Sequence, residues 1–260
     1  MKNLLGIVFL LYSTISFSQI TYTDFTKIYD KAFTKVIDED TANLKGQYKT
    51  IFTNEFTKVF LSETSKKYFY NAYDNKLLKS YLEAENFGAT YAALLRTEGG
   101  KKLNPTLQRQ QTIYSRNALN YANAKECSAI IQNKPIKKTN VSLSGIELYA
   151  KLPLNDFKNY FETYTKSAYL IFYDKDESVA INDNELDALN KLFISNLKER
   201  LTENKLNLFI SVTEKGFANS SDENVCDYGK MLLDTLLTTG DEQQSKLVIN
   251  AWIKGRLLKK

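Results

Sequence analysis

The chain has 260 residues, with 35 basic and 30 acidic side chains, a formal net charge of +5, two cysteines and no histidine. Without histidine it cannot build a Ser-His-Asp or Cys-His centre, a histidine metal site or an imidazole pH switch, and two cysteines cannot make a four-thiolate zinc site. Its well-mixed charge does not suit a polyanion, which sets nucleic acid aside, and ten glycines and three prolines are too few turn formers for an all-β sandwich, so helices are the natural architecture.

Residues 1–18 have the three parts of a secretory signal peptide: Lys2, the apolar run from Leu4 to Leu11, and a small polar tail in which Ser16 and Ser18 fit a signal peptidase. The mature chain then begins at Gln19. The apolar run is well short of the roughly 20 residues that cross a bilayer, so no membrane span is expected after cleavage. The chain reads as exported, periplasmic or secreted. No cofactor is implied.

Beyond Gln19, apolar residues recur every three or four positions. Phe25, Ile28, Tyr29, Phe33 and Ile37 mark a first helix capped by Thr23 or Asp24; Phe52, Phe56 and Phe60 mark a second; and Phe69, Tyr70, Tyr73 and Leu77 mark a third behind a Ser65 cap. A short helix around Tyr91 and Leu94 is expected to stop at Gly99-Gly100, before Asn104-Pro105 opens a helix running past Tyr121 and Cys127 to Ile131. Residues 134–153 are the least helical part, a small hairpin or a packed connector around Gly145. Asn155 or Asp156 caps the next helix, through Phe172. Three or four more helices complete the chain, with breaks at Gly216 and at Thr239-Gly240-Asp241, a Ser221 cap, and Trp252 pointing inward. The expected fold is all-α: about nine amphipathic helices in two packed halves, 19–133 and 154–260, joined by 134–153.

Four constellations could carry a function. In an oxidising compartment Cys127 and Cys226 suggest one disulfide between the halves. The loop from Asp174 to Glu185 sets Asp174, Asp176, Ser178, Asn182 and Glu185 at the spacing of calcium-loop oxygens, although Val179 stands where that loop needs glycine. The same residues also make a helix start at Asn182-x-x-Glu185. Tyr70 and Tyr73 could line an aromatic ligand groove, or simply pack in the core. Glu83, Glu85 and Glu98 are the acids that a glycosidase pair could draw on, without a spacing that singles out two of them.

The segment Leu95-Arg96-Thr97-Glu98-Gly99-Gly100-Lys101-Lys102-Leu103-Asn104-Pro105 resembles the signature of a family of uncharacterised exported bacterial helical proteins, a domain of unknown function. There, an aromatic helix ends in a Ser/Thr-Pro-x-Gly-Lys-Lys-Leu turn before a proline; this chain carries Glu98 at the usual proline. The resemblance implies export and a helical fold, and no catalytic residue. The expected role is a non-catalytic binding or structural module of the envelope, for an envelope protein or a small ligand. The alternatives are a carboxylate-dependent enzyme acting on glycan and a calcium-stabilised helical domain.

Overall fold

The structure, a computed structural model, describes residues 21–73, 97–132 and 145–258. Among these residues there are eleven α-helices, one 3-10 turn, a further helical stretch at 97–102 and no strand. The fold is all-α. No described helix is long and apolar enough to cross a membrane. Residues 1–18, expected to be a signal peptide, and Glu83 and Glu85 lie outside the described residues.

Helices α1 (Tyr22–Thr41), α2 (Gly46–Phe60) and α3 (Glu63–Tyr73) form a first layer. In α1, Phe25, Tyr29, Phe33 and Ile37 are four apart, so one stripe is buried. Its cap is Thr21, whose Oγ1 accepts from the Asp24 amide at 3.2 Å, earlier than the Thr23 or Asp24 expected. Phe33 is fully buried against Phe56, Phe60 and Phe69, with ring centroids 5.7–5.9 Å apart. Ser65 is not the cap of α3 either. Ser62 is, its Oγ accepting from the Ser65 amide at 3.2 Å. The buried Ser65 hydroxyl instead donates to the Phe60 carbonyl at 2.6 Å, and the Tyr29 hydroxyl reaches that same carbonyl at 2.7 Å.

The helical stretch 97–102 runs through both Gly99 and Gly100, so that pair does not end it. A Cβ on Gly99 would lie 2.2 Å from the Ser167 carbonyl oxygen. Glycine is used there for close approach between helices, not as a stop. The break comes at Asn104, whose Oδ1 caps α4 (Pro105–Ala118) by accepting from the Leu107 amide at 3.0 Å. The single helix expected to reach Ile131 is two. The chain turns at 119–123, and Asn123 opens α5 (Ala124–Ile131) with a reciprocal capping box to Glu126.

Within the expected connector lies α6 (Gly145–Tyr149), and α7 (Leu154–Phe172) follows it. The described part of the connector opens with this helix, so the fully buried Leu148 sits on a helix turn and not in a hairpin. Helix α7 starts at Leu154, just ahead of the expected Asn155 or Asp156 cap: Pro153 fixes the entry, and its carbonyl accepts from the Phe157 amide at 3.0 Å. By packing, α7 belongs to the first core. Phe157 meets Tyr48 at 5.0 Å and Phe161 meets Phe52 at 5.1 Å.

Helices α8 (Asp183–Arg200), α9 (Glu203–Lys215), α10 (Asp222–Thr238) and α11 (Glu242–Ile253), with a 3-10 turn at Phe217–Asn219, surround a second core of Leu189, Phe193, Phe209, Leu236, Val248 and their neighbours. The expected breaks at Gly216 and Gly240 and the Ser221 cap are present. Helix α4 is shared. It gives Tyr114 and Ala118 to the first core, is followed by Leu119 in the second, and packs on α7, α10 and α11. A bidentate ion pair from Arg116 to Asp234, at 2.7 and 3.0 Å, ties it to α10.

Candidate functional site

The α4 seam leaves a cleft of about 450 Å³ between the two cores. Its position follows from the helices that meet there. On α4, Gln111 and Ser115 are four apart and share a face. Thr112 beside them donates its hydroxyl to the Gln108 carbonyl at 2.8 Å. Across from α4, Tyr149 of α6 stacks on Tyr160 of α7 at 3.8 Å, and the Tyr149 hydroxyl lies 3.1 Å from Ser115 Oγ. The far wall is apolar: Ile130 and Ile131 from α5, Leu232 and Leu233 from α10, and Trp252, the chain's single tryptophan, from α11. Phe217 stands at the rim, edge-on to Tyr228 at 5.6 Å, and burial pushes the Tyr228 hydroxyl pKa upward.

The expected disulfide is present and helps set this wall. Cys127 and Cys226 are bonded with their Cα atoms 5.2 Å apart, joining α5, which carries Ile130 and Ile131, to α10, which carries Tyr228. Gly229 is part of the same contact. A Cβ there would come within 2.2 Å of the Ile131 side chain, so the close α5–α10 approach depends on glycine. Gly100, from the segment that carries the family resemblance, also faces the cleft. Its carbonyl accepts from Gln108 Nε2 at 2.9 Å, and Gln108 Oε1 accepts from the buried Asn250 at 2.9 Å, a chain of amides that fixes 97–102, α4 and α11 together. Among the described lining residues there is no Asp, Glu, Lys or Arg.

The other candidate residues lie elsewhere. Tyr70 is half-buried between Tyr22 and Phe25 at 5.1 and 5.4 Å, a packing role in the first layer. Tyr73 ends α3, and its side chain lies outside the described residues. Glu98 is exposed and pairs with Lys101 at 2.7 Å. In the acidic loop, Asp174 closes α7 in the left-handed region, with φ 48°, and its side chain stands in solvent 3.5 Å from Lys102 Nζ. Asp176 Oδ1 accepts from the Ser178 hydroxyl and amide at 2.5 and 2.8 Å, and the Ser178 hydroxyl bond is the main reason its carboxyl is held below the usual range. Asn182 caps α8, accepting from the Glu185 amide at 2.9 Å. No three acidic side chains gather into a metal-sized group among the described residues. The loop is instead held by cations: Lys254 donates to the Val179 carbonyl at 2.9 Å, and Arg256 donates to the Ile181 carbonyl at 2.5 Å and pairs with Asp183 at 2.8 Å. Lys254 and Arg256 are thus both engaged by this loop.

Sequence periodicity does not reveal the cleft. Its one visible signal is polarity on the inner stripe of α4, where Gln108, Thr112 and Ser115 stand among buried positions. No protein-family model, curated protein or solved structure matches this chain.

Proposed function

We propose that the protein is an exported, non-catalytic binding module that takes a small, uncharged and largely apolar ligand in the cleft between its two helical cores. The observation that carries this reading is the composition of the cleft: tryptophan, tyrosine and branched aliphatic walls, a few hydroxyl and amide groups, and no formal charge among the described lining residues. An ionised ligand would lose its hydration there without gaining a counter-ion. A glycan enzyme needs two carboxylates across the substrate, and the described wall supplies neither. Export is supported by the signal-like residues 1–18 and by the disulfide, a bond that persists in oxidising compartments. The short family resemblance at 95–105 points the same way.

The test uses Trp252 as the reporter. Titration of the mature chain with a neutral naphthylamine dye should give saturable quenching of tryptophan fluorescence at one site per chain. A linear, non-saturating response refutes the reading. Export is checked separately by the amino terminus of the protein recovered from the periplasmic fraction, which should be Gln19; a mature protein still carrying residues 1–18 refutes it.

A further inference from the structure

The cleft has one polar pole, and its chemistry is specific enough to describe the ligand further. Ser115 Oγ and the Tyr149 hydroxyl are 3.1 Å apart, and either can donate to the other. Each hydroxyl carries a single hydrogen. Their mutual bond therefore uses one hydrogen and leaves one, whichever way it runs. Neither hydroxyl has another hydrogen-bond partner among the described residues. The Tyr149 side chain is only 5% exposed and its ring is fixed by the stack on Tyr160, so the pair is held in place at the cleft wall. The remaining hydrogen is a pre-set donor in largely apolar surroundings.

We infer that the ligand carries an uncharged acceptor oxygen of the carbonyl type, a ketone, ester or amide, that docks on the Ser115–Tyr149 hydroxyl pair while its apolar body lies against Trp252, Leu232 and Leu233. This rests on the cleft being the binding site. The acceptor is neutral because the described wall offers no cation to balance a carboxylate. A ligand without such an oxygen would leave the donor without a partner in apolar surroundings.

The experiment compares two probes of nearly the same shape, an acetylnaphthalene and its isopropenyl isostere, in which the C=O is replaced by C=CH₂. Both are titrated against the mature wild-type chain and the Ser115→Ala/Tyr149→Phe double variant, with Trp252 quenching as the readout. The wild type should bind the ketone about five- to tenfold more tightly than the alkene, in keeping with one net hydrogen bond. In the double variant the two probes should bind alike, and saturable binding of the alkene at least as tight as to wild type, because no donor is left unpaired, also shows that the variant is folded. Equal affinities in wild type, or a preference that survives the double variant, overturn the hydroxyl-pair assignment and leave the cleft as an apolar site. Failure of both probes to quench Trp252 saturably overturns the cleft reading and this inference with it.

Discussion

Gly99 crosses the backbone of Ser167 so closely that a β-carbon on Gly99 would stand 2.2 Å from the Ser167 carbonyl oxygen. A backbone carbonyl inside a helix cannot swing aside as a flexible side chain can. Gly99→Ala should therefore destabilise the protein by about 2–3 kcal/mol in urea denaturation. Gly100→Ala is the matched control. No described atom lies within 4 Å of where its β-carbon would stand, and the residue is in ordinary helical geometry, so the change should be neutral or stabilising by up to about 1 kcal/mol.

The disulfide spans 99 residues. Removing it with Cys127→Ala/Cys226→Ala relieves a constraint on the unfolded chain, and should cost about 4 kcal/mol by equilibrium denaturation. Before reduction, alkylation should leave the mass of the folded or unfolded protein unchanged, because both thiols are blocked.

Tyr29 gives the clearest pH dependence. Its hydroxyl is buried and donates to the Phe60 carbonyl at 2.7 Å; burial, the largest cause, raises its pKa far above the ordinary 10. A group that holds its proton more tightly when folded contributes stability that is complete below the unfolded pKa and is lost as pH rises beyond it. Stability should therefore decline above about pH 10, by about 1.4 kcal/mol per pH unit for each such tyrosine. Tyr22, pushed up to about 12 by partial burial and its bond to Glu63, adds a smaller share nearer the surface. Tyr29→Phe should cost about 1 kcal/mol at neutral pH and make the alkaline decline shallower, read from denaturation midpoints between about pH 9 and 11.

Asp174 is placed by backbone geometry. The Asp174 amide bonds the Ile171 carbonyl at 3.1 Å and the Lys175 amide bonds the Leu170 carbonyl at 2.8 Å, the paired closure of a helix end in which glycine is the preferred left-handed residue. Asp174→Gly should stabilise the protein by about 0.5–1 kcal/mol. Added calcium should not shift the melting temperature of either form, since the loop oxygens do not gather; a calcium-dependent rise lost in Asp174→Gly would restore the calcium reading.

The parts of the fold that are legible in sequence are those written locally. Phe52, Phe56 and Phe60 announce a buried stripe by spacing alone, and Asn104, Asn182 and Ser221 announce helix starts because a short polar side chain can reach the amide three residues on. Gly99-Gly100 misleads because the reason for the glycine lies 68 positions away, at Ser167. Tyr121 misleads in another way: it continues the periodicity of α4, yet it is 51% exposed in the turn that ends that helix. The cleft is invisible because each element supplies only a few of its lining residues. Tyr149 comes from a stretch that reads as connector, and nothing near it in sequence says that it meets Ser115.

The covalent path from Cys127 to Cys226 runs through both cores: it carries α6 and α7 of the first as well as α8 and α9 of the second. A protease that cuts this ring once, at the solvent-facing turn around Asp174 for instance, opens a loop without releasing a fragment. The nicked molecule keeps both ends tethered beside the cleft and migrates as one species until a reductant is added. Under the proposed export, a cut at that turn leaves the proposed ligand cleft held together by the disulfide.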